Sequence, residues 1–386
     1  MAANGQAASA GSRRRKTHNK SRNGCTQCKK RHYKCDELYP ICSHCKRLGS
    51  DCSLSGSASP ADSEVIERQL NIDDLRLLHD WQLGSDTKFS DHNAEESFRQ
   101  QRGREIELGF QHPYVLHIIL AIAALHLTSV NPSESKWYAL AISHHGAAIR
   151  LARPHIAAAS SAHSEAVFNF SCFNSLFAFA EPALRPTNSD PSTPRDYIGD
   201  LIDSFRMSRG IRAIIAKDRS LLAEKGAINN PAWSYEHLDI GSNIHQRFPQ
   251  ISTLQALVDE HLEDPPRRAA IKKDIHELFV AKGTLEDTPP DHSSASLIQR
   301  WAIGSDKAFL ELCDERHPIA LVVIAHYAAL VNKRANIWFF RRWPELLLQE
   351  IGDALRGSRW EQYIEGPRRE VQAAGEDSPM GNGEKV

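Results

Sequence analysis

Six of the eight cysteines lie within one short basic stretch, CTQCKKRHYKCDELYPICSHCKRLGSDC. Their spacing is C-x2-C-x6-C-x6-C-x2-C-x6-C, so that one unit of three cysteines occurs twice: Cys25, Cys28 and Cys35, then Cys42, Cys45 and Cys52. A C-x2-C pair directs two sulfurs to one ion, and zinc prefers four ligands in a tetrahedron. Clustered cysteines in a reducing compartment are more often metal ligands than disulfides. The spacing therefore predicts a metal centre.

The repeat also predicts how many ions the centre holds. Two zinc ions need eight sulfur positions, and six cysteines supply eight only if two of the sulfurs bridge both ions. A two-fold repeat allows this when the first cysteine of each unit is shared. We therefore expect Zn2+ as the cofactor, two ions per chain, with Cys25 and Cys42 as the bridging ligands.

Three other interpretations of the cysteines stay open. A single four-thiolate zinc site would use Cys25, Cys28, Cys42 and Cys45, and would make the repeated x6 spacing a coincidence. Soft thiolate ligands also permit a Cu(I) cluster, which leaves the adjacent basic residues unexplained. The third interpretation is a thiol protein that responds to redox conditions or to metals. Mild oxidants would remove zinc from such a protein.

The charge of the chain is divided unevenly. Residues 1–52 contain twelve Lys or Arg and three Asp or Glu, a formal charge of +9, whereas the whole chain carries -1. The remainder is therefore at -10. No acidic residue precedes Asp36, so the basic run is not balanced in the way a solvated face usually is. A basic arm on an acidic body is typical of a protein that binds a polyanion, here nucleic acid.

The cluster resembles the fungal Zn2Cys6 (zinc binuclear cluster) transcription factors, through the cysteine spacing, the run KKRHYK and Pro40 before the fourth cysteine. The resemblance implies two short helices, each following a C-x2-C pair, and a double-stranded DNA partner with a CG-containing half-site. By position it implies that Arg31 and His32 contact bases in the major groove. It places the lysines Lys29, Lys30 and Lys34 nearer the phosphates.

The basic run continues upstream of the cluster. Lys20 and Arg22 are expected to contact DNA phosphates. Arg13, Arg14, Arg15 and Lys16 form a candidate nuclear import signal. The first residues lack the apolar core of a secretory signal peptide. The basic run and the expected DNA partner predict a nuclear protein.

The domain organisation follows from composition. We expect a basic disordered arm at 1–19, a Zn2Cys6 DNA-binding domain at 20–55, a linker at 56–63, an all-helical fungal transcription factor regulatory domain at 64–372 and a disordered tail at 373–386. Residues 65–81 are too short and irregular for a sustained coiled coil. The predicted fold class is a small binuclear zinc cluster domain followed by an all-α regulatory domain.

The apolar periodicity of the body is helical. It predicts helices at 113–130, 134–155, 162–180, 194–216, 253–263, 267–281, 293–312, 318–340 and 344–355. Four prolines in 181–194 predict a loop. The most apolar run, 118–125, is far shorter than the roughly 20 residues that cross a bilayer, so no membrane partner is expected.

The body also resembles the regulatory domain of the sterol uptake control group. The resemblance is carried by HPYVLHIILAIAALHLTS at 112–129, WYALAISHHGAAIRLARP at 137–154 and PIALVVIAHYAAL at 318–330. It implies an apolar cavity that binds a sterol, so a small apolar ligand and the transcription machinery are expected partners. A ligand sensor whose helical body is the main functional part is the alternative function.

The sequence does not favour an enzyme. It contains no HExxH, GxSxG, P-loop or GxGxxG-after-strand motif. Histidines nine residues apart on one helix, such as His117 and His126, point to opposite faces. Cys172 and Cys313 are expected to be buried small hydrophobes. The predicted function is a sequence-specific transcription factor of RNA polymerase II genes, with sterol, lipid or secondary-metabolite biosynthesis genes as targets.

Overall fold

The chain divides into two compact units, residues 1–70 and residues 71–386. The computed structural model describes residues 24–38, 41–54, 71–84, 92–158, 161–186, 195–228, 243–288 and 295–376. The upstream basic residues, Pro40 and the predicted linker lie outside the described residues.

Within residues 24–38 and 41–54, the first unit contains two short helices, α1 (Thr26–Lys30) and α2 (Ser43–Leu48). Its small core consists of the six clustered cysteines and Leu54, all of them buried. A unit this small has few apolar side chains to remove from water, and metal binding commonly supplies the missing folding free energy. The cysteines therefore take the place of a hydrophobic core.

The second unit is built from fourteen α-helices in its described residues. They are α3 (Ile72–Leu83), α4 (His92–Gln111), α5 (Pro113–Val130), α6 (Ser135–Ala158), α7 (Ser164–Leu184), α8 (Tyr197–Glu224), α9 (Ile244–Arg247), α10 (Gln250–His261), α11 (Pro265–Glu286), α12 (Ala295–Gly304), α13 (Lys307–Asp314), α14 (Pro318–Asn332), α15 (Trp343–Leu355) and α16 (Glu365–Glu376).

Two helices, α5 and α14, are apolar on nearly every face, as expected of helices that other helices surround. Helix α5 packs against α3, α4, α6 and α7, whereas α14 packs against α10, α11, α13, α15 and α16. Helix α8 connects the two groups because it contacts α7, α12, α13 and α15. The predicted fold class, a cysteine cluster followed by an all-α domain, is confirmed.

The predicted helix at 293–312 is two helices, α12 and α13. The break lies at Ser305 and Asp306, where the Asp306 N–H donates to the buried Asp274 carboxylate at 2.7 Å. The Asp306 side chain then accepts from the Ala308 N–H at 2.9 Å and caps α13. The Asp274 carboxylate of α11 thus accepts a hydrogen bond at the point where α12 has ended and α13 begins.

The predicted helix at 318–340 ends at Asn332 and is followed by turns up to residue 342. The cause is Arg334, which is buried and donates to the carbonyl oxygens of Leu285 and Thr288. The aromatic residues Phe339, Phe340 and Trp343 are buried in these turns and at the start of α15, as expected for a core anchor. The Trp343 Nε1–H donates to the Phe179 carbonyl at 2.8 Å.

Other segments also differ from the sequence prediction, among them α4, α7 and α16. Helix α7 continues through the buried Pro182 to Leu184, where the loop was expected to have begun. Helix α4 was not predicted because it is rich in exposed polar residues and therefore shows little apolar periodicity. Helix α16 extends to Glu376, so residues 373–376 of the predicted tail are helical. Val371 packs against the main core and anchors this last helix.

Two spaces in the body bear on the expected apolar cavity. An open groove of about 360 Å³ between α15 and α16 is lined by charged groups that include Glu345, Arg356 and Arg368. An apolar void beside α14 is too narrow for a water molecule; it is lined by Leu254, Leu257, Ile275, Ile319, Val322 and Val323. Neither space combines an apolar lining with room for a sterol.

Helix α5 alone among the described helices is long and apolar enough to cross a membrane by length and composition. However, 72% of it is buried inside the protein, as in the core helix of a helical domain. Its apolar surface is therefore already covered by neighbouring helices.

Candidate metal centre and nucleic-acid interface

Each C-x2-C pair starts a helix, and its first cysteine caps that helix. The Cys25 sulfur accepts from the Cys28 N–H at 3.3 Å, and the Cys42 sulfur accepts from the Cys45 N–H at 3.4 Å. An N-cap acceptor satisfies one of the free N–H groups of a helix start. The spacing of two residues thus fixes the helix start and the direction of both sulfurs together.

The six sulfurs form two four-membered groups. Cys25, Cys28, Cys35 and Cys42 are one group, and Cys25, Cys42, Cys45 and Cys52 are the other, with all ligand atoms of a group within 4.8 Å of one another. The Cys25 and Cys42 sulfurs, 3.8 Å apart, belong to both groups. A tetrahedron of bonds of about 2.3 Å separates its ligands by about 3.8 Å, so the spacing fits zinc.

The cysteine thiols of the centre differ in pKa. Burial raises the pKa of the Cys28 thiol and raises that of Cys45 to about 12. A hydrogen bond from the Cys42 backbone N–H lowers the pKa of Cys52 to about 7. Because zinc binds thiolates, binding must displace protons from the buried thiols. The affinity for zinc should therefore fall as the pH falls.

The residues predicted to meet DNA lie on α1 and just after it. Lys29, Lys30, Arg31, His32 and Lys34 are all exposed, in contrast to the buried cysteines on either side of them. Helix α1 has two lysines in its last turn and no acidic residue in its first. The fold therefore gathers five basic or imidazole side chains beside the metal centre without burying any of them.

His32 has a left-handed backbone with φ of 58°, and Gly49 has φ of 57°. The two residues occupy the same place in the two repeat units, four positions after Cys28 and Cys45. Glycine adopts this conformation without steric cost, whereas a residue with a Cβ is strained in it. The repeat thus demands a left-handed turn after each helix, and the first unit makes it with a histidine.

Hydrogen bonds connect the two units in a reciprocal manner. The carboxylate of Asp36, which follows Cys35, accepts from the Ser43 N–H at the start of α2 at 3.2 Å. The hydroxyl of Ser53, which follows Cys52, accepts from the Thr26 N–H at the start of α1 at 2.8 Å. Sequence reasoning missed both residues, although their equal places after the last cysteine of each unit are visible in the repeat.

The body brings some histidines together from different helices, which spacing along one helix does not reveal. Nδ1 of His117 on α5 lies 3.0 Å from Nδ1 of His144 on α6, and the His144 Nε2 lies 3.2 Å from the Asp74 carboxylate. In the part of the chain that the structure describes, only the cysteines form groups of three or more residues able to hold a metal. Cys313 is buried, but Cys172 is only partly so.

Comparison with known proteins agrees with this geometry. Residues 23–60 match the family described as the fungal Zn(2)-Cys(6) binuclear cluster domain. A Zn(2)-C6 fungal-type transcription factor of Gibberella zeae is 22% identical over 95% of this chain and 88% of its own length. The Zn(2)-C6 fungal-type transcription factor afumD of Aspergillus fumigatus is 33% identical over 31% of this chain and 36% of its own length.

A shorter match involves a third relative. Sterol uptake control protein 2 of Candida albicans is 59% identical over 39 residues, which are 10% of this chain and 6% of that protein. The predicted resemblance to fungal Zn2Cys6 transcription factors is confirmed. Residues 23–60 are a Zn2Cys6 domain, which binds two zinc ions. The family supports a DNA-binding transcription factor, and relatives of this class favour a role without enzymatic activity.

Proposed function

We propose that this protein is a nuclear, sequence-specific transcription factor of RNA polymerase II genes. The observation that carries the proposal is the pair of four-sulfur groups sharing Cys25 and Cys42, next to a run of exposed basic side chains. In this proposal the two shared cysteines bridge two zinc ions, and Cys28, Cys35, Cys45 and Cys52 complete the two tetrahedra.

The DNA contacts divide into two kinds. Arg31 offers a bidentate donor for the O6 and N7 atoms of guanine, and His32 follows it at the left-handed turn. Lys29, Lys30 and Lys34 neutralise phosphates, as do Lys20 and Arg22 upstream. The partner is double-stranded DNA with a CG-containing half-site.

The remainder of the chain serves localisation and regulation. Arg13, Arg14, Arg15 and Lys16 direct the protein to the nucleus, and the acidic helical body of residues 64–372 recruits the transcription machinery. Sterol, lipid or secondary-metabolite genes are the proposed targets, and the short match to a sterol uptake control protein supports the first of these classes. The charged groove and the narrow apolar void give the ligand-sensor alternative no specific support.

The proposal is tested by selecting binding sites from a random DNA pool with the full-length chain, with zinc and with a chelator. We expect a CG-containing half-site to be enriched only with zinc. Single or paired half-sites would show whether one or two chains bind. Enrichment that survives the chelator, or no enrichment in either condition, would contradict the proposed function.

A further inference from the structure

The two repeat units are equivalent in nearly every backbone contact. After α1 the Tyr33 N–H donates to the Cys28 carbonyl at 3.0 Å, and after α2 the Ser50 N–H donates to the Cys45 carbonyl at 3.2 Å. These bonds occur at matching positions, as do the sulfur caps and the left-handed residues described above. Metal geometry and backbone therefore do not distinguish the unit that carries Arg31 and His32 from the other.

One side-chain contact does distinguish them. The Tyr33 ring lies on the His44 ring of α2, with ring centroids 4.4 Å apart and planes at 34°. The equivalent positions in the repeat are Ser50 and Gln27, which have no rings to stack. The aromatic pair thus occurs only on the side of the centre where the base-contacting residues lie.

This tilted ring contact joins the segment after α1 directly to α2. Tyr33 keeps 60% of its surface exposed, so the contact is too open to be a core contact. His44 is in turn fixed by the Arg47 guanidinium, whose Nη2 lies 3.4 Å from the His44 Nδ1. Aromatic rings in contact contribute to stability beyond the area they bury, and the contribution depends on their relative orientation. The position of Tyr33 therefore follows that of α2.

We propose that Tyr33 and His44 are positioning residues that hold Arg31 and His32 in their orientation for base contact. His32 adopts its strained turn directly before Tyr33, and a strained residue persists only where its surroundings fix it. A bidentate contact with guanine requires that the backbone carrying the arginine side chain has a fixed position. Movement of this segment should therefore reduce discrimination between bases more than it reduces the attraction to phosphates. The inference rests on the proposed DNA-binding function.

The experiment uses the zinc-loaded, full-length chain and the duplex that the unaltered chain selects from a random pool. For each variant we would measure zinc content, salt slope and the ratio of affinities for that duplex and one with an altered half-site. Tyr33→Leu keeps apolar volume without a ring, and Tyr33→Phe keeps the ring. Ser50→Ala, at the equivalent position of the other unit, is the matched control.

We expect Tyr33→Leu to lower the affinity ratio about 10-fold while Tyr33→Phe and Ser50→Ala stay within about 2-fold of the unaltered chain. Zinc content and salt slope should stay the same in all three. A Tyr33→Leu chain with an unaltered ratio would overturn the inference, and one that loses zinc would make the contact a folding contact instead. An unaltered chain without any sequence preference would refute the proposed function itself.

Discussion

The equivalent residues His32 and Gly49 show what a single position contributes to the zinc domain. Both adopt a left-handed backbone, and a Cβ added at Gly49 would meet no atom within 4 Å. The cost of a side chain there is therefore backbone strain alone, without a steric clash. The first unit carries a histidine at this position, and with it a backbone strain that glycine would avoid.

Substitutions at these two positions should separate stability from recognition. Gly49→Ala should lower domain stability by about 1 kcal/mol through left-handed strain. His32→Gly should change domain stability by less, because the relief of backbone strain offsets the greater conformational entropy of glycine in the unfolded chain. The same substitution should relax base preference. Chelator competition measures the first effect, and site selection measures the second. Loss of zinc on His32→Gly would contradict the strain argument.

The shared cysteines lead to a prediction about zinc stoichiometry. Cys25→Ala removes a sulfur from both groups and should abolish binding of both ions, whereas Cys52→Ala affects one group and should leave one ion bound. Native mass spectrometry of the full chain counts the ions. Cys172→Ala, outside the centre, is the control and should keep both. A Cys25→Ala chain with two ions would refute the bridging role.

The basic residues should fall into two classes by their effect on binding. Arg31→Ala should cost about 1–3 kcal/mol at one base pair and relax preference there. Lys30→Ala should weaken binding to all sequences alike and lower the salt slope by about one unit. Titrations at several salt concentrations distinguish these effects, with Lys307→Ala on the body as a control. The opposite pattern would mean that the α1 face is assigned wrongly.

At the scale of elements, the buried polar groups of the body decide where helices start and stop. Arg334 ends α14, and Asp274 separates α12 from α13. On α14 itself, His326 is buried against the Phe279 ring at a centroid distance of 5.3 Å. Burial and the nearby Lys282 ammonium lower the pKa of His326 to about 3.

This histidine should make the helical body sensitive to acid. The unfolded chain binds a proton at His326 below its ordinary pKa of 6.5, while the folded chain binds none until about pH 3. The free energy of unfolding should therefore fall as the pH falls from 6.5 towards 3. Denaturant unfolding at pH 7 and pH 5 should show a smaller loss in His326→Leu than in the unaltered chain.

The control for this experiment is His79→Leu, which replaces an exposed histidine of α3. It removes an imidazole without altering the buried core, and it should keep the pH dependence of the unaltered chain. Equal losses of stability in His326→Leu and His79→Leu would show that other groups govern the acid response.

At the scale of the whole molecule, the two units are stabilised by different means. The first unit is held by cysteines and Leu54, and the second by a large apolar core around α5 and α14. Among the residues that the structure describes, none belongs to both clusters. Because zinc binding is coupled to folding in the first unit only, removal of the metal should act on that unit alone.

Calorimetry of the full chain tests this separation. Addition of a chelator should unfold residues 24–54 and abolish DNA binding, while the thermal transition of the helical body keeps its midpoint. Hydrogen exchange would locate the loss of protection. A lowered midpoint for the body in the presence of chelator would show that the body depends on the zinc domain for its stability.

Local sequence patterns were sufficient to predict the metal centre and the helical character of the body. Zinc ligands lie close along the chain, so spacing alone fixes which sulfurs meet, and the period of apolar residues fixes where buried helices such as α5 form. Both the zinc ligands and the helical periodicity depend on residues that are close together in the sequence, so they can be predicted without the fold of the remaining chain. The family of the zinc domain follows from the same local pattern.

Contacts between side chains of different helices could not be predicted from these local patterns. No periodicity relates the residues that meet in the Tyr33–His44 ring contact or in the His117–His144 contact. The same is true of the hydrogen bonds that Asp274 and Arg334 make at helix ends. A buried carboxylate or guanidinium must find hydrogen-bond partners wherever packing places it, and it overrides the local helical preference there. Such contacts depend on the whole fold and therefore appear only once the helices are packed.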